Sequence, residues 1–364
     1  MKLYHLKYVP WPESQLIYHA QPRVGFEGIN ILAPAEPYVC IGYHQDLEQE
    51  VDVAFCQQHG IPIFRRQVGG GAVYLDGNQI FYQIVLHKDH PLAQGDKAAF
   101  YRRMLQPVAD AYTDLGVPAR YRPINDVITQ EGRKISGTGA ATIDDYVVLV
   151  GNLIADFDYE TMARVLRVPD EKYRDKVFKS MQENLTTLKR ETGRILEWDE
   201  MVAPLLRRFE QVLGPLEPAE LPQSVTDQVE TLKPCFLNEE WLSRPRTASV
   251  PLAGERQPGR NIKVATGVNV LHRVHKAPGG LIRATVEVRD GRLNDVSLSG
   301  DFFCYPREAI AGLESALEGV PLEQVEGVLN GWYAGHEKDG RRDAGDPVET
   351  PGVEVGDWMK VLVG

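Results

Sequence analysis

The sequence predicts an α+β protein: mixed and antiparallel sheets flanked by helices, followed by a smaller α+β domain. Three observations carry this. Short alternating or apolar runs bounded by glycine and proline recur through residue 157. Amphipathic helical patterns cover 97–116 and 198–213. A third block, 261–320, repeats strands, tight turns and a helix on a smaller scale. At 364 residues the chain exceeds one ordinary core. The expected division is a first domain over 1–215, a proline- and charge-rich linker over 216–260, and a second domain with a C-terminal extension over 261–364.

Taken in order, Lys2–Tyr8, Gly28–Leu32 and Tyr38–Gly42 read as strands separated by proline-bearing turns. Glu48–His59 reads as a helix, with Gly60 as its C′ residue and Pro62 beyond. Residues 61–82, IPIFRRQVGGGAVYLDGNQIFY, read as strand, glycine loop, strand, and Gln79–Leu86 as a further strand. Asp96 is the expected N-cap of the 97–116 helix, which gathers Phe100, Leu105, Val108, Tyr112 and Leu115 on one face. Arg120–Asn125 leads to a second glycine-bearing stretch, and Tyr146–Phe157 is a long strand entered from an Asp144-Asp145 turn. Glu160–Val168 and Trp198–Leu213 read as helices; within the linker only Val225–Leu232 has helical spacing. Strands follow at Lys263–Val270, Leu281–Arg289 and Asp295–Ser299, with Asp290-Gly291 as a hairpin turn. A helix over Pro306–Leu317 comes next, and the tail from Gly335 ends in strand-like Val361–Val363.

Apolar residues at 43% and charged residues at 25% are globular values. No run of apolar residues is long enough to span a bilayer, and MKLYHLKYVPW lacks the form of a signal peptide. A soluble cytoplasmic protein without a membrane partner is expected. Forty basic against 51 acidic residues give a net charge of −11, which argues against nucleic acid as a partner. Cys40, Cys56, Cys235 and Cys304 are scattered without a CxxC pair and read as reduced thiols. His87/His90 and His272/His275 are each three apart but have no third ligand near in sequence, which disfavours a zinc site.

Chemistry concentrates in two stretches. Arg65 and Arg66 offer planar guanidinium groups suited to carboxylate or phosphate, and Gly69-Gly70-Gly71 can present successive N–H groups to an anion. The same residues would also suit a wide hairpin with surface arginines. The triplet is not a GxGxxG fingerprint, because Tyr74 stands where the last glycine belongs. Gly132-Arg133-Lys134-Ile135 lacks the leading glycine and following Ser/Thr of a P-loop.

Arg65-Arg66 with Gly69-Gly70-Gly71-Ala72-Val73-Tyr74, then Asn125-Asp126 with Gly132-Arg133-Lys134-Ile135-Ser136-Gly137, stand in this order with a helix pattern between them. Together they resemble the catalytic domain of the lipoate-protein ligases, within the biotin and lipoate ligase family. Ile41-Gly42-Tyr43-His44-Gln45 and Gly151-Asn152-Leu153-Ile154 extend the likeness. Residues 279–303 with the helix after them resemble the accessory domain such ligases carry.

The resemblance implies an ATP-dependent reaction. The carboxylate of lipoate attacks the α-phosphate, pyrophosphate leaves, and the lipoyl-AMP is then attacked by a lysine of an acceptor. That acceptor would be a dehydrogenase E2 lipoyl domain, the glycine-cleavage H protein or a free-standing relative. Lys134 would bridge the acid's carbonyl oxygen and the α-phosphate as a compact charge. Arg65 and Arg66 would clamp phosphates, Gly69, Gly70 and Gly71 would admit the adenylate, and Asp126 would hold Mg²⁺. Asn125 and Asn78 would make polar contacts to the nucleotide, Asn78 otherwise being a turn residue. Gly137 and Gly139 would allow close approach, while Ala72, Val73, Tyr74 and the strand around Val148 would line the ligand channel.

Leu75-Asp76-Gly77-Asn78 lacks the histidine many relatives carry after the glycine strand, which leaves acyl preference open. An octanoyl or lipoyl transferase of the same fold would need a thiolate near the lysine stretch, and no cysteine occurs between Cys56 and Cys235. A biotin ligase would carry a GRGRxxR-type loop, absent here. A non-catalytic lipoyl-binding relative has no evident need for the full set Arg65, Arg66, Asp126 and Lys134. The basic run from Arg256 to Arg292 suits either closure over ATP, docking of an acidic acceptor, or a solvated sheet face.

Overall fold

The computed structural model describes residues 1–168, 173–244, 261–265, 268–335 and 347–364. The chain divides into two compact units, and the division is not a single cut in sequence. The first comprises Met1–Cys40, Val51–Gln67 and Val73–Leu242; the second comprises Ile41–Glu50, Val68–Ala72 and Ser243–Gly364. Two short pieces of the amino-terminal half, one of them the glycine triplet, thus belong with the C-terminal unit.

The strands of the first unit are β1 (Lys2–Val9), β2 (Gly28–Pro34), β3 (Tyr38–Ile41), β4 (Ile63–Arg65), β5 (Val73–Leu75), β6 (Gln79–His87), β7 (Ala119–Arg122), β8 (Asp126–Thr129), β9 (Lys134–Ile143), β10 (Tyr146–Ile154) and β11 (Glu217–Pro218). Eight form a mixed sheet in the order β11-β1-β2-β6-β10-β9-β8-β7, and β4-β3-β5 form a small second sheet. β1 runs parallel to β2 and β11, whereas β2, β6, β10, β9, β8 and β7 are joined antiparallel. Central β6 is buried on both faces: Ile80, Tyr82, Ile84 and Leu86 join the core under the Lys97–Asp114 and Trp198–Leu213 helices, while Phe81 joins a second core. Asp96 caps the first of these helices by accepting the Ala99 N–H at 2.7 Å, as expected.

The second core departs from the sequence expectation. A helix spans Glu13–Arg23, in a region read only as strands and turns, and a helix spans Gln223–Phe236 within the expected linker. Leu16, Ile17 and Ala20 of the former pack with Val225, Val229, Leu232 and Phe236 of the latter. The helical spacing expected over Val225–Leu232 is present and extends further at both ends: Pro222 precedes the first helical residue, Pro234 lies in the last turn, and Val225, Val229, Leu232 and Phe236 keep one helical stripe. The expected Glu48–His59 helix is broken into Leu47–Glu50 and Val53–Gln58, with Asp52 capping the second piece through the Phe55 N–H.

In the second unit β12 (Asn261–Ala265), β13 (Val268–Ala277), β14 (Gly280–Arg289) and β15 (Arg292–Gly300) form an antiparallel meander, backed by helices Ala309–Leu317, Val325–Ala334 and Val355–Leu362. The tail read as a strand is the last of these helices. A capping box between Glu354 and Asp357 starts it, and Trp358, Val361 and Leu362 turn inward at helical spacing, a signal hidden by the short Val-Leu-Val run. Segment 41–50 is tied to this unit through the Gly300 N–H on His44 O at 2.9 Å, the His44–Phe302 ring stack and the Arg283–Glu50 ion pair. Arg283, Lys276 (3.8 Å to Asp301) and Arg289 (2.7 Å to Glu287) therefore have acidic partners, so three of the eight Lys and Arg residues of the basic run are neutralised locally. Arg256 and Arg260 lie outside the described residues.

The open edge of β15 is closed by acids: Glu318 accepts the N–H groups of Asp295 and Val296, and Glu314 accepts that of Leu298 at 2.7 Å. Burial pushes the Glu314 carboxyl up to about 7, against the Leu298 hydrogen bond and with help from Glu318. A raised folded value means stability is fullest below the unfolded carboxyl range and is lost as pH rises through 7. The C-terminal unit is accordingly expected to melt at higher temperature at pH 5 than at pH 8. Glu314→Gln, which keeps the acceptor oxygen, is expected to flatten that slope in calorimetry.

No described helix is long and apolar enough to cross a membrane.

Candidate active site

The lysine stretch is built on β8 and β9. Asp126 pairs with Gly137, Val127 with Ser136, and Ile128 with Lys134, so Ile135 is an extra residue on β9. Such a bulge shifts the alternation of side chains. In a straight ladder Lys134 and Gly137, three apart, would face opposite sides; here Lys134, Gly137 and Asp126 share one. The Lys134 ammonium reaches Asp126 Oδ1 at 2.7 Å, and Arg122 reaches Oδ2 at 2.7 Å. A Cβ at Gly137 would lie 3.3 Å from Lys134 Cε, so glycine there leaves room for the amine's path. Lys134 retains 37% side-chain exposure and is thus open to a ligand.

Burial works to raise the Asp126 carboxyl, but the charge of Lys134 and the hydrogen bonds from Arg122 and Lys134 outweigh it, leaving the group below its ordinary value. Its contribution to stability is present above the unfolded carboxyl value and lost as pH falls through the depressed one. Asp126→Asn is therefore expected to lower the unfolding free energy at pH 7 by about 1–3 kcal/mol, read as a lower urea midpoint, and to converge with the parent in strong acid.

Neighbours fix the strand. Asn152 accepts the Gly137 N–H at 3.0 Å and donates to Gln79 Oε1 at 2.8 Å. Lys134 O accepts the Thr186 N–H at 2.8 Å, and Arg133 pairs with Glu191 at 2.9 Å. Asn125 donates to Thr138 O while Thr138 Oγ1 donates to Asn125 O, so this amide ties the turn before β8 to β9. Arg122, Asn152 and Glu191 were not among the expected site residues. Asn152 lay inside a stretch already singled out, whereas Arg122 and Glu191 carry no signal without the register.

Arg65 ends β4 and Arg66 follows it, both in the first unit. Arg65 is fully buried, with Nε and Nη2 on Leu242 O at 3.1 and 2.8 Å, and Arg66 donates to Cys40 O at 3.2 Å. Both thus have backbone partners as well as the charge expected of them. Tyr74 is buried on β5, and burial, then Asp76 and Asp158, push its hydroxyl up to about 12; Val73 beside it is exposed. Asn78 sits in a turn with its N–H on Asp76 Oδ1 at 2.9 Å and its carbonyl accepting the Ala155 N–H.

The glycine turn, with Ala72, belongs to the second unit. Gly70 has φ +92°, a left-handed value that favours glycine. A Cβ on Gly69 would meet Phe302 O at 2.8 Å, and one on Gly42 would meet Gly70 O at 1.9 Å. The Tyr43 backbone N–H donates to Val68 O at 3.0 Å, and Gln45 Oε1 accepts the Gly42 N–H at 2.9 Å, which explains why Gly42 and Gln45 accompany the triplet. A Cβ on Gly71 would come no nearer than 3.7 Å, to Asp301 Cβ, an ordinary contact.

Among the described residues no three His, Cys, Asp or Glu side chains gather as a metal cluster. Asp126 is the one acid beside Lys134 in the pairs above. An ionised carboxylate suits a hard cation that takes its remaining ligands from phosphate and water.

The lipoyl protein ligase A/B catalytic-domain model matches residues 24–210, and the bacterial lipoate protein ligase C-terminus model matches 270–333. Lipoate-protein ligase LplJ of Bacillus subtilis is 25% identical over 301 residues, covering 81% of this chain and 82% of that protein. Octanoyltransferase LipM of Moorella thermoacetica is 24% identical, over 59% of this chain and 86% of its own. Among solved structures, a bi-partite lipoate protein ligase of Thermoplasma acidophilum, described with its E2 lipoyl domain, aligns with a TM-score of 0.61 at 27% identity, over 68% of this chain and 98% of that one. With more than half its length inside the catalytic-domain model, the chain belongs to the lipoyl protein ligase A/B family.

Proposed function

We propose that this chain is an ATP-dependent lipoate-protein ligase, which activates lipoate as lipoyl-AMP and transfers the lipoyl group to a lysine of an acceptor lipoyl domain. The observation that carries this reading is the Lys134 amine, set by a bulge on the same face as Asp126 and Gly137 and still open to solvent. Both substrates are anions, and the α-phosphate gains charge as the carboxylate attacks. A mobile point charge can follow both oxygens, which a planar guanidinium cannot. In this reading Lys134 leaves Asp126 for the substrates, and Arg122 keeps the carboxylate ionised. Asp126 would hold Mg²⁺, which would neutralise phosphate charge. Arg66 would add positive charge, and Val73 would line the path of the acyl chain.

The reading of an octanoyltransferase is favoured by the LipM relative. The thiols oppose it. Burial pushes Cys40, Cys56 and Cys304 up, away from thiolate, and exposed Cys235 lies on the Gln223–Phe236 helix, not on the strands that hold Lys134. Free cysteines also accord with a cytoplasmic enzyme.

Exchange of labelled pyrophosphate into ATP, run with lipoate, octanoate and biotin, tests the proposal. Lipoate-dependent exchange is expected. Absence of exchange with all three acids, together with ATP-independent acyl transfer from an octanoylated carrier, would replace it with the transferase reading. Purified lipoyl-domain and H-protein acceptors, followed by mass, then identify the partner.

A further inference from the structure

The Glu13–Arg23 helix is buried from Ser14 to Pro22 although it carries Ser14, Gln15, His19 and Gln21. Polar side chains are buried at a cost unless they hydrogen-bond, so each needs a partner that explains it. For His19 the partner is the arginine stretch. Its Nε2 lies 3.1 Å from the backbone nitrogen of Gln67, which can only donate, so Nε2 is the unprotonated acceptor. Its Nδ1 lies 2.7 Å from Gln15 O, which can only accept, so Nδ1 carries the proton. The ring is fully buried and wedged edge-on against Phe236, 4.8 Å between centroids. Arg23, one turn on, reaches the Gln67 side chain at 3.1 Å.

The Gln67 N–H shares a planar peptide with the Arg66 carbonyl, so fixing its direction fixes the plane on the C-terminal side of Arg66. The other side is fixed too: Trp241 Nε1 donates to Arg65 O at 2.9 Å, which holds the Arg65–Arg66 peptide. Arg66 is thus clamped through both flanking peptides, and its guanidinium rests on Cys40 O.

We propose that His19, as the Nδ1–H tautomer, is a positioning residue for Arg66 and presets the arginine that meets the phosphates of ATP. This rests on the ligase reading for what Arg66 binds, and on geometry alone for the clamp. His19→Leu keeps bulk but loses the acceptor; His19→Gln restores an acceptor oxygen.

In pyrophosphate exchange His19→Leu is expected to raise KM for ATP about tenfold, the loss of roughly one hydrogen bond's orientation, with kcat and the lipoate KM near the parent values. His19→Gln is expected to recover most of that. In hydrogen–deuterium exchange the Gln67 amide is expected to lose protection in the leucine variant and regain it in the glutamine one. Equal behaviour of the two variants, or an unchanged Gln67 amide with an unchanged ATP KM, overturns the proposal. A parent protein without lipoate-dependent exchange would instead remove the ligase reading, while the Gln67 amide still decides whether His19 is the clamp.

Discussion

Lys134→Ala is expected to reduce lipoate-dependent pyrophosphate exchange by about a thousandfold, with only a small change in melting temperature. The rate term follows from removing the one cation placed to track charge from carboxylate to phosphate; preorganised groups of that kind contribute several kcal/mol to a barrier. The stability term is small because Lys134 is partly exposed and Asp126 keeps Arg122 at 2.7 Å. Lys134→Arg is expected to restore little, since a guanidinium held by Asp126 would pair in a plane and stay there. Single-turnover transfer from chemically prepared lipoyl-AMP separates the two half-reactions. If Lys134→Ala charges its acceptor from ATP and lipoate at the parent rate, the ligase mechanism given above is wrong.

Gly42→Ala is expected to have the second largest effect. Its new methyl would stand 1.9 Å from Gly70 O and 3.0 Å from the Gly70 carbonyl carbon. Both are backbone atoms, so no side chain can swing aside, and the 68–72 turn must move or the 41–45 loop must open. A loss of about 1–3 kcal/mol is expected in denaturant titration. Gly312→Ala is the control. Gly312 lies in the Ala309–Leu317 helix with nothing within 4 Å of its Cβ position, so alanine there is expected to be neutral or slightly stabilising.

Much of this was readable before the fold was known, for identifiable reasons. Lys134, Asp126 and Gly137 sit within one short stretch, so a strand pair brings them together with little help from the rest of the chain. The 97–116 and 198–213 helices announced themselves by spacing. The Glu13–Arg23 helix did not: its burial depends on hydrogen bonds to Tyr38, Gln83 and Gln67, partners distant in sequence and invisible to periodicity. Arg122 and Glu191 were hidden because only the register shows which carboxylate or cation they meet. The glycine triplet was legible as a special backbone, but not as a turn packed on Phe302 within a different unit.

The extra residue at Ile135 also bears on how relatives of this chain should be compared and engineered. Losing that one codon would turn the bulge into a regular ladder with the amine still opposite Ile128, but would remove an aliphatic side chain from beneath the long helices and the carbonyl that accepts the Tyr112 hydroxyl. Alignments that open a one-residue gap at this point would therefore still equate lysines on one face, one on a bulged strand and one on a regular strand. A library that varies loop lengths around the site should keep that spacing constant.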